Sequence, residues 1–360
     1  MDLVAHKDAN DLDSEAILTI LLRCLVEDLG RIGVRLRHAL LDSMAEWFGE
    51  RVKTTVGSKS AQVGAEVDAA LGSGSPLVSL LARFTGFVRW GTEAKDTLTV
   101  EYVNYLTEPR GMVDTLLIDA GLKLRNRPHS RNGLVIIADS LDHITLPARQ
   151  DEIFIDSAEI LTRLSAHLLV TVPSALPATG RGGEMETCFR KCHWLPMVKV
   201  RTLGGDPHPG GLERMREMIG RRCDLSLFDD EALERLARYS GGHARHLIRR
   251  AQDAIADAAR PPVTVASANR AVATLSNMLA MGRTPDEWRT LAACDADPLV
   301  RPFSEEGRRL LYHDCLLSYE DAQEVDAECI SSQWYGVHPA LRRLKPFEDA
   351  AADPAEPSGE

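Results

Sequence analysis

The sequence predicts an α/β fold with a mostly parallel sheet, followed by an all-helical region and then by helices with a β-hairpin. Two continuous apolar runs, residues 133–138 and 167–172, predict neighbouring strands, and residues 151–164 between them show helical spacing. Such runs are typical of parallel strands that are buried on both faces. Strand, helix and strand in this order indicate a parallel sheet, to which residues 198–200 would add a third, shorter strand.

The composition is that of a globular protein. The chain has 360 residues, a length that favours two or three domains over one. Its formal net charge of −11 disfavours a protein that coats nucleic acid non-specifically, although a local basic face is compatible with it. Because the sequence shows no secretory signal and no apolar run long enough for a membrane span, we expect a cytoplasmic protein without a membrane partner.

The cysteines predict free thiols. There are seven, an odd number at irregular spacing, which disfavours a disulfide framework. Cys188, Cys192 and His193 stand close together in the sequence, but no second Cys/His pair at zinc-finger spacing completes a four-ligand site. A structural zinc ion is therefore not expected at these residues.

Helices are predicted ahead of the sheet. Residues 14–48 show helical periodicity, with an interruption at Gly30 and Gly33. Residues 49–76 are rich in Gly, Ser and Thr and predict an exposed excursion, while residues 97–125 predict a further helix.

The second half of the chain is predicted to be helical first and mixed later. A Gly/Pro cluster at residues 204–211 marks a linker or turn. Near the end of the chain, the two short helices at residues 285–293 and 304–312 precede apolar segments at residues 315–319 and 333–338. Helices followed by a hairpin indicate a winged-helix module. In it, Trp334, Tyr335 and His338 are expected to be structural residues. The helices are predicted at residues 211–222, 229–239, 243–259, 265–280, 285–293 and 304–312.

The sharpest chemical signal is an aspartate at the end of the first predicted strand. Residues 134–138 are apolar and deliver Asp139 to the carboxyl edge of the sheet, where open α/β sheets place their ligands. A carboxylate there can hold Mg²⁺, and the metal can bridge nucleotide phosphates. Asp142 can reach the same space and polarise a water molecule. The structural alternative is an aspartate that caps the next helix.

From residue 1 to about 345, the order of features resembles that of P-loop ATPases of the AAA/STAND type, above all bacterial members whose Walker B motif reads hhhhDxLD. In such proteins an α/β core carries the Walker A and Walker B motifs, and a later strand ends in a polar sensor 1 residue. A helical lid then bears the sensor 2 arginine, and a winged helix can follow. Asp139 matches the Walker B aspartate, the metal ligand, and Asp142 matches the second acid of the motif.

The resemblance extends to residues of the later segments. Thr171, in the second apolar run, fits sensor 1, and Ser174 is the alternative for this position. Residues 240–250 resemble the glycine turn and sensor 2 helix, with Arg245 at the sensor position, and residues 334–339 fit the last strand of the winged helix. The resemblance implies ATP and Mg²⁺ as cofactors. Each residue also has a structural interpretation: Thr171 favours a strand, and Arg245 could lie on a solvated helix face.

The sequence departs from this family at the phosphate-binding loop. The pattern G-x-x-x-x-G-K-S/T is absent, no Gly-Lys dipeptide occurs anywhere, and the nearest fragment, residues 57–60, lacks the first glycine and a preceding buried strand. In the family, this loop precedes a strand that resembles residues 2–5, so the chain is expected to begin after it. Three explanations stay open: a truncated sequence, a separately encoded loop that associates with this chain, or a pseudo-ATPase.

The predicted function is an AAA/STAND-like ATPase, or most of one, that acts as a nucleotide-dependent switch. The chain alone is expected to bind ATP weakly or not at all. The alternative is a non-enzymatic regulatory or scaffold protein that binds a protein partner or DNA through its winged helix. A homo-oligomer is a further possibility, in which Arg181 or Arg190 could act as an arginine finger. The predicted domains are an α/β core (1–203), a helical lid (204–282), a winged helix (283–347) and a disordered acidic tail (348–360).

Overall fold

A computed structural model of the chain describes residues 10, 12, 14–34, 36–37, 107–125, 134–177, 180–325 and 328–352. The chain divides into two compact units, which are described separately. The first comprises Met1–Pro173 with Gly183–Lys191, and the second comprises Ser174–Gly182 with Cys192–Glu360. The boundary predicted after residue 203 therefore falls within the second unit.

The first unit contains a pair of strands and several helices. Its described elements are α1 (Ser14–Arg31), α2 (Thr107–Arg125), β1 (Val135–Ala138), α3 (Pro147–Asp151), α4 (Glu159–Thr162), β2 (His167–Val170) and α5 (Gly182–Cys188). The helix predicted to start at Ser14 is confirmed. The second helix predicted before residue 48, the excursion at residues 49–76 and the fragment at residues 57–60 lie outside the described residues.

The two strands are parallel, as predicted. Val135 lies opposite His167 and Ala138 opposite Val170, and the short helices α3 and α4 form the connection between the strands. The prediction that β1 is buried on both faces is wrong: Ile136 and Ala138 are buried, whereas Val135 is 57% exposed. The alternation follows the period of two of a strand, so one face of the pair packs into the core.

The second unit begins with a group of four helices. Apolar side chains of these helices form one core, to which Val200 also belongs. The predicted strand at residues 198–200 is not formed; instead, the Val198 N–H donates to Gly242 O at 3.3 Å. The helices, each within a few residues of its predicted position, are α6 (Pro209–Gly220), α7 (Asp230–Tyr239), α8 (Ala244–Asp257) and α9 (Val265–Ala280).

The rest of the second unit contains two helices, a hairpin and a final helix. The hairpin strands pair antiparallel with Leu316 opposite Val337, which confirms the predicted order of helices and hairpin. Trp334 and Tyr335 are buried, as expected. The winged-helix interpretation stays a prediction. The elements are α10 (Pro285–Ala296), α11 (Glu305–Tyr312), β3 (Leu316–Val325), β4 (Glu328–Val337) and α12 (Lys345–Ala352).

The acidic tail begins later than predicted. Residues 348–352 belong to α12 and are not disordered, because Phe347 is buried and anchors this helix to the core of α10, α11 and the hairpin. The remaining tail, residues 353–360, lies outside the described residues.

A glycine turn precedes α8. Gly241 and Gly242 have φ angles of 64° and 78°, in the left-handed region that glycine adopts without strain. The Tyr319 hydroxyl, on β3, donates to Gly241 O at 2.7 Å, and a Cβ atom on Gly242 would lie 1.7 Å from Val198 O. The turn therefore needs glycine at residue 242 for space as well as for conformation.

Candidate functional site

Two of the predicted site residues lie together at one edge of the parallel strands. Asp139 directly follows β1, and Thr171 directly follows β2. The Thr171 N–H donates to Ala138 O at 3.1 Å. Since paired parallel strands end at the same edge, the two side chains belong to one carboxyl edge of the sheet. Asp139 therefore lies at the end of a strand, as its sequence context predicts, and the roles of Asp139 and Thr171 stay predictions.

The side chains at this edge hold the local backbone. Asp139 is exposed, and its Oδ1 accepts from the Ser140 N–H at 2.9 Å. Thr171 Oγ1 accepts from the Leu141 N–H at 3.1 Å and so ties β2 to the start of the connection after β1. Ser140 has φ 72°, a conformation uncommon outside glycine. The second predicted acid, Asp142, is half-exposed, with Oδ2 3.7 Å from His143 Nε2.

The other two predicted residues belong to the second unit. Ser174 is exposed in a turn. Arg245 lies in the first turn of α8, after the glycine turn, and is exposed, whereas His246 and Arg250 occupy the buried face of the same helix. The position of Arg245 after the glycine turn agrees with the prediction, and its role stays a prediction.

A cluster of three histidines lies in the described part of the second unit, and the sequence analysis did not predict it. His243 is the N-cap of α8, His246 lies one turn later, and His338 directly follows β4. Their rings are in contact: His243 and His246 stack with centroids 4.1 Å apart, and His246 meets His338 edge to face at 5.2 Å. His338 was expected to be structural; it is fully buried and joined to His246.

A carboxylate closes the cluster. Asp314, between α11 and β3, adopts φ 56° and points Oδ2 at two rings. This oxygen lies 3.3 Å from His243 Nε2 and 3.8 Å from His246 Nε2. Aspartate is one of the few residues that visit the left-handed region at low cost, so the sequence and the backbone agree at this position.

Backbone hydrogen bonds assign the ring protons. The His246 N–H donates to His243 Nδ1 at 3.3 Å, and the Ala340 N–H donates to His338 Nδ1 at 3.2 Å, so these rings carry their proton on Nε2. His338 Nε2–H then faces His246 Nδ1, at 3.2 Å, and the His338 ring also has a hydrogen bond with the Ser240 backbone. It follows that His246 also carries its proton on Nε2, and that the Nε2–H groups of His243 and His246 both face Asp314.

Two rings of the cluster, His246 and His338, are neutral imidazoles. Burial lowers the pKa of His246 to about 3, and the neighbouring rings of His243 and His338 lower it further, while Asp314 opposes the shift. Burial likewise lowers the pKa of His338 to about 3. Neutral imidazole is the form that binds metals, and one ring nitrogen each of His243 and His246 and an oxygen of Asp314 lie within 4.8 Å of one another.

One part of this cluster had a signal in the sequence. His243 and His246 are three residues apart, a spacing that brings two side chains to one face of a helix. The interpretation of residues 240–250 as a sensor helix gave weight to Arg245 and passed over both histidines. Asp314 and His338 are distant in sequence and carry no local signal.

Among the described residues, no helix combines the length and apolar character that a membrane crossing requires. No protein-family model, no curated protein and no solved structure matches the chain.

Proposed function

We propose that the chain supplies the Mg²⁺-binding edge and the signalling part of an AAA/STAND-like ATP switch. One observation carries the proposal: Asp139 and Thr171 lie side by side at the carboxyl ends of two paired parallel strands. Ligands of open α/β sheets bind at this edge. An exposed carboxylate that follows a strand is suited to hold Mg²⁺ on the phosphates of a nucleotide.

Each residue at this edge has a proposed task. Asp139 binds Mg²⁺, directly or through water, and Asp142, three residues later, polarises the attacking water. Thr171 holds the Leu141 N–H, at 3.1 Å, and so fixes the start of the segment that carries Asp142. Ser174 and Arg245, in the second unit, keep their proposed contacts with the nucleotide on the resemblance alone.

The proposal requires a phosphate-binding loop from outside these 360 residues. Backbone N–H groups and a lysine of such a loop bind the β- and γ-phosphates, and the sequence contains no Gly-Lys dipeptide. The loop would come from a preceding segment of a longer chain or from a second chain. The 360 residues alone are therefore expected to bind Mg·ATP weakly or not at all.

The test compares ATP binding and hydrolysis with and without the segment encoded directly upstream, or a neighbouring P-loop protein. We expect the extended form to hydrolyse ATP, and Asp139→Asn to slow hydrolysis by about a hundredfold, equivalent to about 2.7 kcal/mol. Asp206→Asn, an exposed aspartate in a turn of the second unit, is the matched control and should keep full activity.

Two results would overturn the proposal. Hydrolysis that survives Asp139→Asn would remove the metal-binding role of this carboxylate. Micromolar affinity of the 360-residue chain alone for Mg·ATP, measured by titration calorimetry, would show that nucleotide binding does not use a phosphate loop of the expected kind.

A second candidate function is partner binding without catalysis, and it is favoured by the loop between α10 and α11. Leu299, Val300 and Phe303 in this loop are each more than half exposed. The following helix, α11, is poorly suited to bind DNA bases, because Arg309 forms ion pairs with Glu306 and Glu287, at 3.4 Å each. A protein partner is therefore preferred over DNA for this surface.

Cell-based activity separates the two candidates. If the protein acts by binding a partner, Phe303→Ser should abolish its function in cells, and Asp139→Asn should leave that function unchanged. The reverse result supports the ATP switch.

A further inference from the structure

We propose that His243, His246 and Asp314 form a binding site for a divalent transition metal of the zinc class. The site lies within the second unit and does not depend on the proposed nucleotide switch. The observation that carries the inference is the convergence of two imidazole nitrogens and one carboxylate oxygen within 4.8 Å.

The two nitrogen–oxygen distances are close to those of a tetrahedral site. With metal–ligand bonds of about 2.0–2.1 Å, the ligand atoms of a tetrahedron lie about 3.3 Å apart. The distance from His243 Nε2 to Asp314 Oδ2 is 3.3 Å, and that from His246 Nε2 to the same oxygen is 3.8 Å. All three ligand atoms lie within 4.8 Å of one another, so the side chains would have to move closer together to complete the arrangement.

The donor set and its access suit zinc or cobalt rather than magnesium or calcium. Imidazole is a good ligand for zinc and its neighbours in the first transition row, whereas Mg²⁺ and Ca²⁺ prefer oxygen ligands. The His243 and His246 side chains are only 14% and 10% exposed, while Asp314 is 31% exposed. A metal would therefore enter past Asp314 and keep a water molecule on the solvent side.

Metal binding has to displace protons that now face the carboxylate. Each Nε2 atom can bind the metal only when its proton moves to Nδ1 of the same ring, which leaves the proton count unchanged. In His243, the proton on Nδ1 displaces the backbone N–H of His246, which now donates to that atom. In His246, the proton on Nδ1 reverses the direction of the hydrogen bond with His338 Nε2. His338 in turn moves its proton to Nδ1 and displaces the Ala340 N–H. The hydrogen bonds from the His246 and Ala340 N–H groups are thus lost, and the bond between the His338 ring and the Ser240 backbone is altered, in exchange for metal–ligand bonds.

The metal would act as a clip between two cores of the second unit. His243 and His246 come from the beginning of α8, whose residues Leu247 and Ala251 belong to the helical core. Asp314 stands next to Cys315, a member of the core formed by α10, α11 and the hairpin. The metal would fix the glycine turn and the base of the hairpin to each other.

The test measures binding of Zn²⁺ by calorimetry and of Co²⁺ by its visible d–d absorption, on the full chain without a histidine tag and after removal of bound metal. Two variants remove ligands and keep the local backbone. His243→Asn retains a good N-cap for α8, and Asp314→Asn retains a residue that tolerates φ 56°. Each variant should weaken metal binding by about tenfold or more.

The matched control is His208→Asn. His208 caps α6 as His243 caps α8, through Nδ1 on the Gly211 N–H at 2.9 Å, but no carboxylate of the described residues lies in ion-pair distance of it. This variant should bind metal as tightly as the unaltered chain. The proposal is overturned if the unaltered chain shows no saturable binding of one metal ion, or if His243→Asn and Asp314→Asn bind as tightly as the control. Should one variant fail to fold by circular dichroism, the other decides.

Discussion

Alanine at Gly242 and alanine at Gly282 are expected to have very different effects on stability, although the two glycines share nearly the same backbone conformation. Their φ angles are 78° and 74°. A Cβ atom on Gly282 would have no neighbour within 4 Å, whereas on Gly242 it would lie 1.7 Å from Val198 O. The pair therefore separates the cost of conformation from the cost of close approach.

The magnitudes follow from these contacts. Both substitutions place an L-residue in the left-handed region, at a cost of about 1–2 kcal/mol. At Gly242 the Cβ contact is half the 3.4 Å at which ordinary van der Waals contact begins, so the backbone at Val198 has to move. That movement breaks the bond from the Val198 N–H to Gly242 O and leaves buried groups unpaired, at a further cost of about 2–4 kcal/mol.

Urea unfolding at equal protein concentration measures the difference. With a slope of about 2 kcal/mol per molar urea, the Gly242→Ala midpoint should lie about 1–2 M below that of Gly282→Ala. Equal midpoints for the two variants would refute the argument, because they would show that the turn before α8 relaxes at no cost and that the contact with Val198 does not hold it.

Two further predictions concern a buried hydroxyl of the hairpin and two buried thiols of the core formed by α10, α11 and the hairpin. Tyr319→Phe should lower stability by about 1–3 kcal/mol, measured by thermal unfolding, because the Gly241 carbonyl loses its buried hydroxyl donor; Tyr239→Phe is the control, and an equal loss in both variants would contradict the role of this bond. Burial raises the pKa of Cys294 to about 11 and that of Cys315 to about 12, from 9.0. Because the unfolded chain loses these protons near pH 9 and the folded chain keeps them, stability should fall as the pH rises from 9 towards 11. The unfolding midpoint at pH 8 and pH 10.5 measures this, and a midpoint that does not fall would contradict it.

The helices of the second unit were predictable because their signals are local. Helix α9 was predicted at residues 265–280 and spans Val265–Ala280, with Thr264 as its N-cap. Helix α10 starts with a capping box of Thr284 and Glu287, in which each side chain binds the backbone of the other residue. Such signals need no knowledge of the rest of the chain.

Errors arose where tertiary contacts decided the outcome. Residues 198–200 have strand-forming side chains, yet the backbone of Val198 is bound by the glycine turn. The composition at the end of the chain indicated disorder, and burial of Phe347 was enough to extend an ordered helix through residue 352. At the candidate sites, local sequence placed Asp139 at the end of a strand, whereas the histidine cluster joins residues from three separate segments.

The bond between His246 and His338 also sets an order for folding during synthesis. The two residues are 92 positions apart, whereas the helical core of α6–α9 is built from neighbours in sequence. Closing so long a loop costs entropy that local helix packing does not pay, so contacts of this kind form late. During synthesis, His246 cannot form this bond until residue 338 has been added to the chain. A chain that ends before residue 338 would leave His246 Nδ1 without this partner. The complete cluster therefore forms only in a chain that contains both strands of the hairpin.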